Sequence, residues 1–295
     1  MKNVFERLAP FIQEYIYKEG WTELRPIQIA ACNIILETDD NVLLASGTAS
    51  GKTEAAFLPI LTDLYEHPSK SIGVLYISPL KALINDQFMR IDEMLEETDI
   101  LVTKWHGDVS QTLKNKVMKY PRGILQTTPE SLEAMLMRNP GNILKLFSDL
   151  RYVVIDEVHY FMNDDRGLQL LCILERIQRI IQKEPRRIGL SATLGDYGLA
   201  KKWLSAGTTR NVNLPEVGEE KRKIRLGVKY FEIEDKENGT SIFDYYKELY
   251  EKTLDKKCII FSNSKAEVED TIAHLKKIAK ERKTKDIYYV HHANI

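Results

Sequence analysis

The segment Leu44-Ala-Ser-Gly-Thr-Ala-Ser-Gly-Lys-Thr-Glu54 constrains the fold of this chain more than any other feature. The residues that lead into it, 41–45, form a short apolar run, and the residues after Lys52 are good helix formers. A small, flexible loop between a strand and a helix lets successive backbone N–H groups turn inward around an anion. The helix directs the positive end of its dipole at the same place. The segment therefore predicts a strand, a phosphate-binding loop and a helix, in an α/β protein.

The loop carries side chains suited to a nucleotide triphosphate. Lys52 supplies a point charge and Thr53 a hydroxyl that can bind Mg²⁺. The strict pattern has glycine or alanine five positions before Gly51, and this chain has Ser46 there. A Gly/Ser turn before an ordinary helix remains the alternative when the loop is considered alone. The residues expected around the phosphates are Ser46, Gly47, Thr48, Ala49, Ser50, Gly51, Lys52, Thr53 and Glu54.

A second motif lies about a hundred residues further along. The run 152–155 is continuously apolar, as in a strand buried on both faces of a parallel sheet, and it ends in Asp156 and Glu157. Ligands bind outside the carboxyl ends of such strands. We expect Asp156 to hold Mg²⁺ together with Thr53, and Glu157 to orient and deprotonate the attacking water. Alone, the acidic pair could instead cap the next helix.

Together these motifs resemble a known family. The quartet Asp156-Glu-Val-His159 resembles the DExH box of superfamily 2 helicases, and other segments follow in the order of that family's motifs. Arg25-Pro-Ile-Gln28 resembles the Q-motif, Ser78-Pro-Leu-Lys-Ala-Leu83 motif Ia, Thr127-Thr-Pro-Glu130 motif Ib, Ser191-Ala-Thr193 motif III, Ile260-Phe-Ser-Asn-Ser264 motif IV and Val290-His-His292 the strand after it. The runs Arg166-Gly-Leu-Gln-Leu170 and Thr53-Glu-Ala-Ala-Phe57 are similar to Lhr-type (large helicase-related) enzymes.

The resemblance implies ATP and Mg²⁺ as cofactors, with Gln28 and Arg25 beside the adenine. It implies that hydrolysis depends on Lys52, Asp156, Glu157, His159, Ser191 and Thr193, the last two coupling it to lobe movement. A single nucleic-acid strand would contact Ser78, Pro79, Lys81, His106, Gly107, Thr127, Thr128, Pro129, Asn263, His291 and His292. Taken singly, a proline after a strand usually only starts a helix, and small hydroxyls usually only cap one.

The expected fold class is α/β, a RecA-like doubly wound parallel sheet. Residues 1–213 are predicted to form a complete first lobe with N-terminal Q-motif helices, 214–226 a linker, and 227–295 a partial second RecA-like lobe. In the second lobe we expect strands at 228–233, 258–261 and 287–291 and helices at 242–254 and 265–280. Motifs V and VI are missing, and in this family motif VI supplies arginines to the γ-phosphate. We therefore expect this chain to bind ATP but to hydrolyse it feebly.

Composition limits the partners. A net charge of −1 gives no general attraction for a polyanion, so nucleic-acid affinity would have to come from a local groove. No apolar run approaches the roughly 20 residues of a membrane span, and the N-terminus does not resemble a signal peptide. We expect a cytoplasmic protein without a membrane partner. Its three cysteines, Cys32, Cys172 and Cys258, are expected to be reduced core residues.

Two classes of function are compatible with these features. The first is an ATP-dependent helicase or translocase on single-stranded nucleic acid, where the Lhr-like resemblance favours DNA over RNA. The second is a truncated ATP-binding module without motor activity that docks on other subunits of a nucleic-acid processing or defence complex. A duplex translocase related to restriction-system motors is a third, weaker alternative.

Overall fold

The structure is a computed structural model that describes residues 3–47, 50–192, 194–215, 225–231 and 242–290. The chain divides into two compact units, Met1–Glu220 and Lys221–Ile295. No helix in the described ranges has both the length and the apolar character needed to cross a membrane.

The first unit is built around a parallel β-sheet. Its described strands are β1 Asn41–Ala45, β2 Ile72–Ile77, β3 Val102–Trp105, β4 Gly123–Thr127, β5 Tyr152–Ile155, β6 Arg186–Ser191 and β7 Val212–Asn213. Their order across the sheet is β3-β4-β2-β5-β6-β1-β7, and every neighbouring pair is parallel. The inner strands β2, β4, β5 and β6 are buried along their whole length, which agrees with the continuous apolar sequences of β2 and β5.

Helices cover both faces of this sheet. They are α1 Pro10–Lys18, α2 Pro26–Glu37, α3 Lys52–Glu66, α4 Lys81–Met94, α5 Gln111–Lys119, α6 Pro129–Arg138, α7 Ile143–Phe147, α8 Asp165–Ile181 and α9 Tyr197–Leu204. Side chains of α1 to α4 form one apolar core with the sheet, and side chains of α5 to α9 form a second core. Successive residues of β2 alternate between the two cores. The predicted α/β doubly wound architecture is confirmed.

The second unit contains two described helices, α10 Ile242–Thr253 and α11 Lys265–Glu281, close to the predicted ranges. They share a small core that includes Tyr250 and Leu275. The described parts of the three predicted strands, 228–231, 258–261 and 287–290, are not assigned as strands, so this prediction was wrong for them. A strand requires a neighbouring strand to pair its backbone groups, and the side chains of Ile259 and Phe261 are instead 80% and 90% exposed.

The cysteine prediction needs a correction as well. Cys32 is buried, but Cys172 and Cys258 are exposed, and all three are free thiols. Cys172 lies on the outer side of α8, whose inner side carries the buried Leu170 and Ile173. An apolar neighbourhood in sequence therefore did not place this thiol in the core.

Candidate nucleotide-binding site

The predicted phosphate loop joins β1 to α3, as expected. The loop begins where the Ser46 N–H donates to the Ser191 carbonyl of β6 at 3.3 Å. The hydroxyls of Ser46 and Ser50 lie 2.5 Å apart. Gly51 precedes the helix with φ of 81°, a left-handed conformation that favours glycine. Thr48 and Ala49 lie outside the described residues.

Lys52 folds over this loop. Its Nζ donates to the carbonyls of Ser46 at 2.6 Å and Gly47 at 2.9 Å. Ser191, whose carbonyl accepts from the Ser46 N–H of this loop, also carries the hydroxyl that lies 3.0 Å from His159 Nδ1 beyond the end of β5. The phosphate loop and the acidic strand end therefore belong to one site, although β6 lies between their strands.

The first turn of α2 lies against the same loop. A Cβ on Gly51 would come 2.8 Å from Gln28 Nε2 and 3.5 Å from Arg25 Cδ. Gln28 is buried, and its Oε1 accepts a 2.8 Å hydrogen bond from the Arg25 N–H at the start of the helix. Gln28 Oε1 can accept a second hydrogen bond and Nε2 can donate, so Gln28 retains capacity for adenine, and the adenine contact stays a prediction.

Thr53 and Glu54 occupy the first turn of α3, and both are buried. Thr53 follows Lys52 directly and carries the hydroxyl predicted to bind Mg²⁺. The Glu54 carboxylate is 3.6 Å from the guanidinium of Arg90 in α4. Glu54 therefore forms an ion pair with the neighbouring helix α4.

Asp156 follows β5 and is held by two donors. Its Oδ2 accepts a 2.5 Å hydrogen bond from the Tyr76 hydroxyl of β2, and its Oδ1 accepts one of 3.0 Å from the Glu157 N–H. Burial raises the pKa of the Asp156 carboxyl, and the Tyr76 hydrogen bond acts in the opposite direction. A carboxylate oxygen can accept more than one hydrogen bond, so each retains capacity for a further ligand.

Glu157 adopts an unusual backbone conformation. Its φ of 50° and ψ of 52° are left-handed, which is uncommon for a residue with a side chain. Its Oε2 lies 3.2 Å from His159 Nδ1, and the same nitrogen lies 3.0 Å from the Ser191 hydroxyl of β6. These contacts join the ends of β5 and β6. Thr193 lies outside the described residues.

The chemistry of these groups fits Mg²⁺. This ion prefers oxygen ligands, and it is usually held by one or two protein groups together with waters and substrate phosphates. The Thr53 hydroxyl and the Asp156 carboxylate provide such oxygens. The described residues contain no cluster of three or more His, Cys, Asp or Glu side chains that could hold a metal alone.

Several residues predicted to contact nucleic acid cluster around Lys81. Its Nζ donates to both carboxylate oxygens of Asp108, at 3.0 and 3.1 Å. This hydrogen bond and the Lys81 charge lower the pKa of Asp108. A Cβ on Gly107 would lie 3.3 Å from the Lys81 amine. His106 is buried beneath them, and burial lowers its pKa.

The other predicted contacts are mostly structural in this state. Ser78 and Thr127 are completely buried, and the Thr127 hydroxyl donates to the Trp105 carbonyl at 2.7 Å. The Thr128 hydroxyl accepts from the Ser131 N–H at 3.3 Å, capping α6 ahead of the buried Pro129. In the second unit, the Asn263 N–H donates to Glu267 Oε2 at 2.8 Å. His291 and His292 lie outside the described residues.

Sequence reasoning missed the function of Arg166, which links two turns. Its Nη2 donates to the Pro79 carbonyl at 3.0 Å, and its Nε donates to Glu130 at 2.7 Å. It therefore joins the turns after β2 and β4. The adjacent Gly167 leaves no room for a side chain, because a Cβ would lie 1.7 Å from the Phe161 carbonyl oxygen. The Arg-Gly pair was the only signal in the sequence.

Comparisons with known proteins agree with this geometry. The DEAD/DEAH box helicase family profile matches residues 25–199. An ATP-dependent helicase Lhr-Core of Saccharolobus solfataricus is 31% identical over 313 aligned residues, covering 100% of this chain and 35% of that protein. The structure of Mycobacterium smegmatis helicase Lhr bound to ssDNA and AMP-PNP is 26% identical with a TM-score of 0.77, covering 99% of this chain and 39% of that one.

A second solved structure, the DUF1998 helicase MrfA bound to DNA and AMPPNP, is also 26% identical, with a TM-score of 0.76 over 96% of this chain. These matches confirm the predicted resemblance to Lhr-type proteins. The chain spans 35% of the length of the Saccharolobus relative, so the activity of that whole protein does not transfer directly.

Proposed function

Because the chain belongs to the DEAD/DEAH box helicase family, we propose that it is the ATP-binding part of an ATP-dependent helicase or translocase that acts on single-stranded nucleic acid. One observation carries the proposal. The phosphate loop and the acidic strand end meet at Ser191 of β6, whose carbonyl accepts from the Ser46 N–H and whose hydroxyl lies 3.0 Å from His159 Nδ1. Residues 1–213 act as a RecA-like lobe, 214–226 as a linker and 227–295 as part of a second lobe, a division supported by the boundary between the two units.

Different residues at this edge contact different parts of ATP. Lys52 and the loop N–H groups bind the phosphates, and Thr53 and Asp156 hold Mg²⁺. When bound, the ion neutralises negative charge on the transferred phosphoryl group. Arg25 and Gln28 lie against the loop, where they are positioned to meet the adenine.

Glu157 acts as the base for hydrolysis. Its carboxylate accepts a proton from the attacking water. His159 contacts both Glu157 and Ser191, so a movement of the Glu157 side chain can be passed through His159 to the end of β6. This is the route by which hydrolysis is coupled to movement in this proposal.

Nucleic acid binds at the carboxyl ends of β2, β3 and β4. The proposed contacts are Lys81, Gly107 and the turns that contain Pro79 and Thr128. The Mycobacterium smegmatis relative was solved with ssDNA and AMP-PNP, which supports a single strand, and DNA over RNA, as the partner. The free thiols of the three cysteines are in keeping with a cytoplasmic location.

The test is ATP hydrolysis by this chain with and without single-stranded DNA, single-stranded RNA and duplex DNA. We expect single-stranded DNA to stimulate the steady-state rate most. Lys52→Ala should abolish hydrolysis by losing the phosphate contact, and Glu157→Gln should abolish it while leaving nucleotide binding in place. The matched controls are Lys18→Ala and Glu97→Gln, which break an exposed 2.5 Å ion pair and should leave the rate unchanged.

Hydrolysis that survives in both site variants would contradict the proposal. The same assay applies to a longer chain that carries a complete second lobe. We propose that arginines from a complete second lobe reach the γ-phosphate there, so its rate should exceed that of the 295-residue chain by about 10³-fold or more. Equal rates would contradict this part.

A further inference from the structure

Tyr76 is a completely buried tyrosine in the middle of the sheet. It lies in β2 opposite Gln126 of β4 and Val154 of β5. Its ring belongs to the apolar core under α3, with the ring of Phe57 at 6.0 Å. A phenylalanine would supply the same apolar contacts, so packing alone does not explain the hydroxyl.

The hydroxyl has a definite partner. A buried hydroxyl is costly unless it is hydrogen-bonded, and that of Tyr76 donates to Asp156 Oδ2 at 2.5 Å. Hydrogen bonds to an ionised acceptor are shorter and stronger than neutral ones. Residue 76 thus contacts a side chain 80 positions away, at the carboxyl end of the neighbouring strand.

This contact fixes the direction of the carboxylate. Oδ2 is held by Tyr76 from β2, and Oδ1 is held by the Glu157 N–H, 3.0 Å away, from its own strand end. Two donors from different directions define the plane of the group. A carboxylate held by the Glu157 N–H alone could rotate about its Cβ–Cγ bond.

We propose that Tyr76 is a positioning residue that fixes the Asp156 carboxylate in the orientation that receives the Mg²⁺ of the bound nucleotide. Tyr76 touches neither the ion nor the nucleotide and acts only through Asp156. The inference rests on the proposed function, because Asp156 must face Mg²⁺ for its orientation to matter. Beyond that function, the inference says that Mg²⁺ binding at Asp156 requires the hydroxyl of Tyr76.

The chain offers a matched control in Tyr152. This residue begins β5 in the same apolar core, and its hydroxyl donates to Asp63 Oδ2 at 3.0 Å. It lies at the amino end of its strand, whereas Asp156 follows the carboxyl end of that strand. Tyr152→Phe and Tyr76→Phe therefore each remove one tyrosine-to-carboxylate hydrogen bond from the same layer, but only Tyr76→Phe affects the proposed ion site.

The experiment is a Mg²⁺ titration of the binding of a fluorescent, non-hydrolysable ATP analogue to the 295-residue chain. Tyr76→Phe should raise the Mg²⁺ concentration for half-maximal enhancement roughly tenfold, the size expected for losing a hydrogen bond to a charged group. The affinity measured in EDTA should not change, which also shows that the variant has folded. Tyr152→Phe should match the wild type in both measurements.

Electron paramagnetic resonance of Mn²⁺ bound with the same analogue provides a second readout. Tyr76→Phe should alter the spectrum of the bound ion, and Tyr152→Phe should not. If wild type and Tyr76→Phe depend on Mg²⁺ to the same extent, the role of Tyr76 is overturned. The proposed ion site is then unaffected. A wild-type chain that binds the analogue without regard to Mg²⁺ would overturn the proposed ion site as well.

Discussion

Asp156 and Glu157 are adjacent carboxylates placed in different surroundings. Asp156 is buried and held by two donors, whereas the side chain of Glu157 is 26% exposed and meets His159. A left-handed backbone at a residue with a side chain costs on the order of 1 kcal/mol, and such strain is found mainly at functional sites. These different surroundings fit the proposed division of roles, in which Asp156 serves the cation and Glu157 the water.

Gly51 offers a direct test of the loop geometry. Gly51→Ala would force a side chain into a φ of 81° and place its Cβ 2.8 Å from Gln28 Nε2. We expect the free energy of unfolding, measured with urea, to fall by about 1 to 3 kcal/mol. Gly47→Ala is the control, because a Cβ there meets nothing within 4 Å, and it should change stability by less than about 0.5 kcal/mol. An equal loss of unfolding free energy in Gly51→Ala and Gly47→Ala would contradict the left-handed conformation and close packing at Gly51.

The sequence predicted those site residues that lie in contiguous motifs. Lys52, Asp156 and Glu157 each follow a recognisable strand, and the ends of parallel strands meet at one edge. Tyr76 could not be found in this way, because its partner is 80 residues distant and its own strand reads as uniformly apolar. The same holds for the Arg166 contact to the Pro79 carbonyl.

At the scale of elements, buried arginines at the start of β6 hold two helix ends. Arg186 donates to the carbonyls of Ile35 at 2.7 Å and Ile34 at 3.0 Å, near the end of α2. Arg187 donates to the carbonyls of Leu204 and Ala206, at and just beyond the end of α9. Burial lowers the pKa of both guanidinium groups. The last carbonyls of a helix have few partners within it, so these arginines add donors there beside the backbone caps of Thr38 and Ser205.

Glu184 anchors the segment that leads into β7. Its carboxylate accepts hydrogen bonds from the Thr208 hydroxyl and from the Thr209 N–H at 2.8 Å. Burial raises the pKa of Glu184, but these hydrogen bonds outweigh it and the net pKa is lowered. The folded state therefore binds fewer protons than the unfolded state. The stabilisation is complete above the ordinary pKa of 4.5 and is lost as pH falls through the folded-state value.

Glu184→Gln should accordingly lower the free energy of unfolding by about 2 kcal/mol at pH 7. The difference from the wild type should shrink as the pH falls below 4.5, as followed by urea unfolding. Glu133→Gln is the control, since it removes a surface ion pair with Arg176 and should cost less than about 1 kcal/mol. A difference that grows on acidification would contradict the assignment.

The elements predicted best were those with continuous apolar sequences. β1 and β5 have the predicted bounds, 41–45 and 152–155. The short strand β3 and the two-residue β7 were missed, because their sequences carry no such run. The expected strands of the second unit fail where described, since an apolar run predicts a strand only if neighbours are present to pair with it.

For the whole molecule, a net charge of −1 gives no general attraction for anions, so nucleotide and nucleic acid must be bound by local groups. The edge where the strands of the first unit end carries the Lys52 and Lys81 amines and helix N-termini beside the carboxylates of Asp156 and Asp108. Anion binding of this kind depends on placement more than on total charge. The central claim is that Lys52 and Asp156 serve one triphosphate with its cation.

A crystal structure of this chain with Mn²⁺ and a non-hydrolysable ATP analogue tests that claim most directly. We predict that the triphosphate lies within hydrogen-bonding distance of Lys52 Nζ, and that the anomalous signal of Mn²⁺ lies between the Thr53 hydroxyl and the Asp156 carboxylate. A triphosphate bound away from Lys52, or a manganese ion with no contact to Asp156 directly or through one water, would contradict the account.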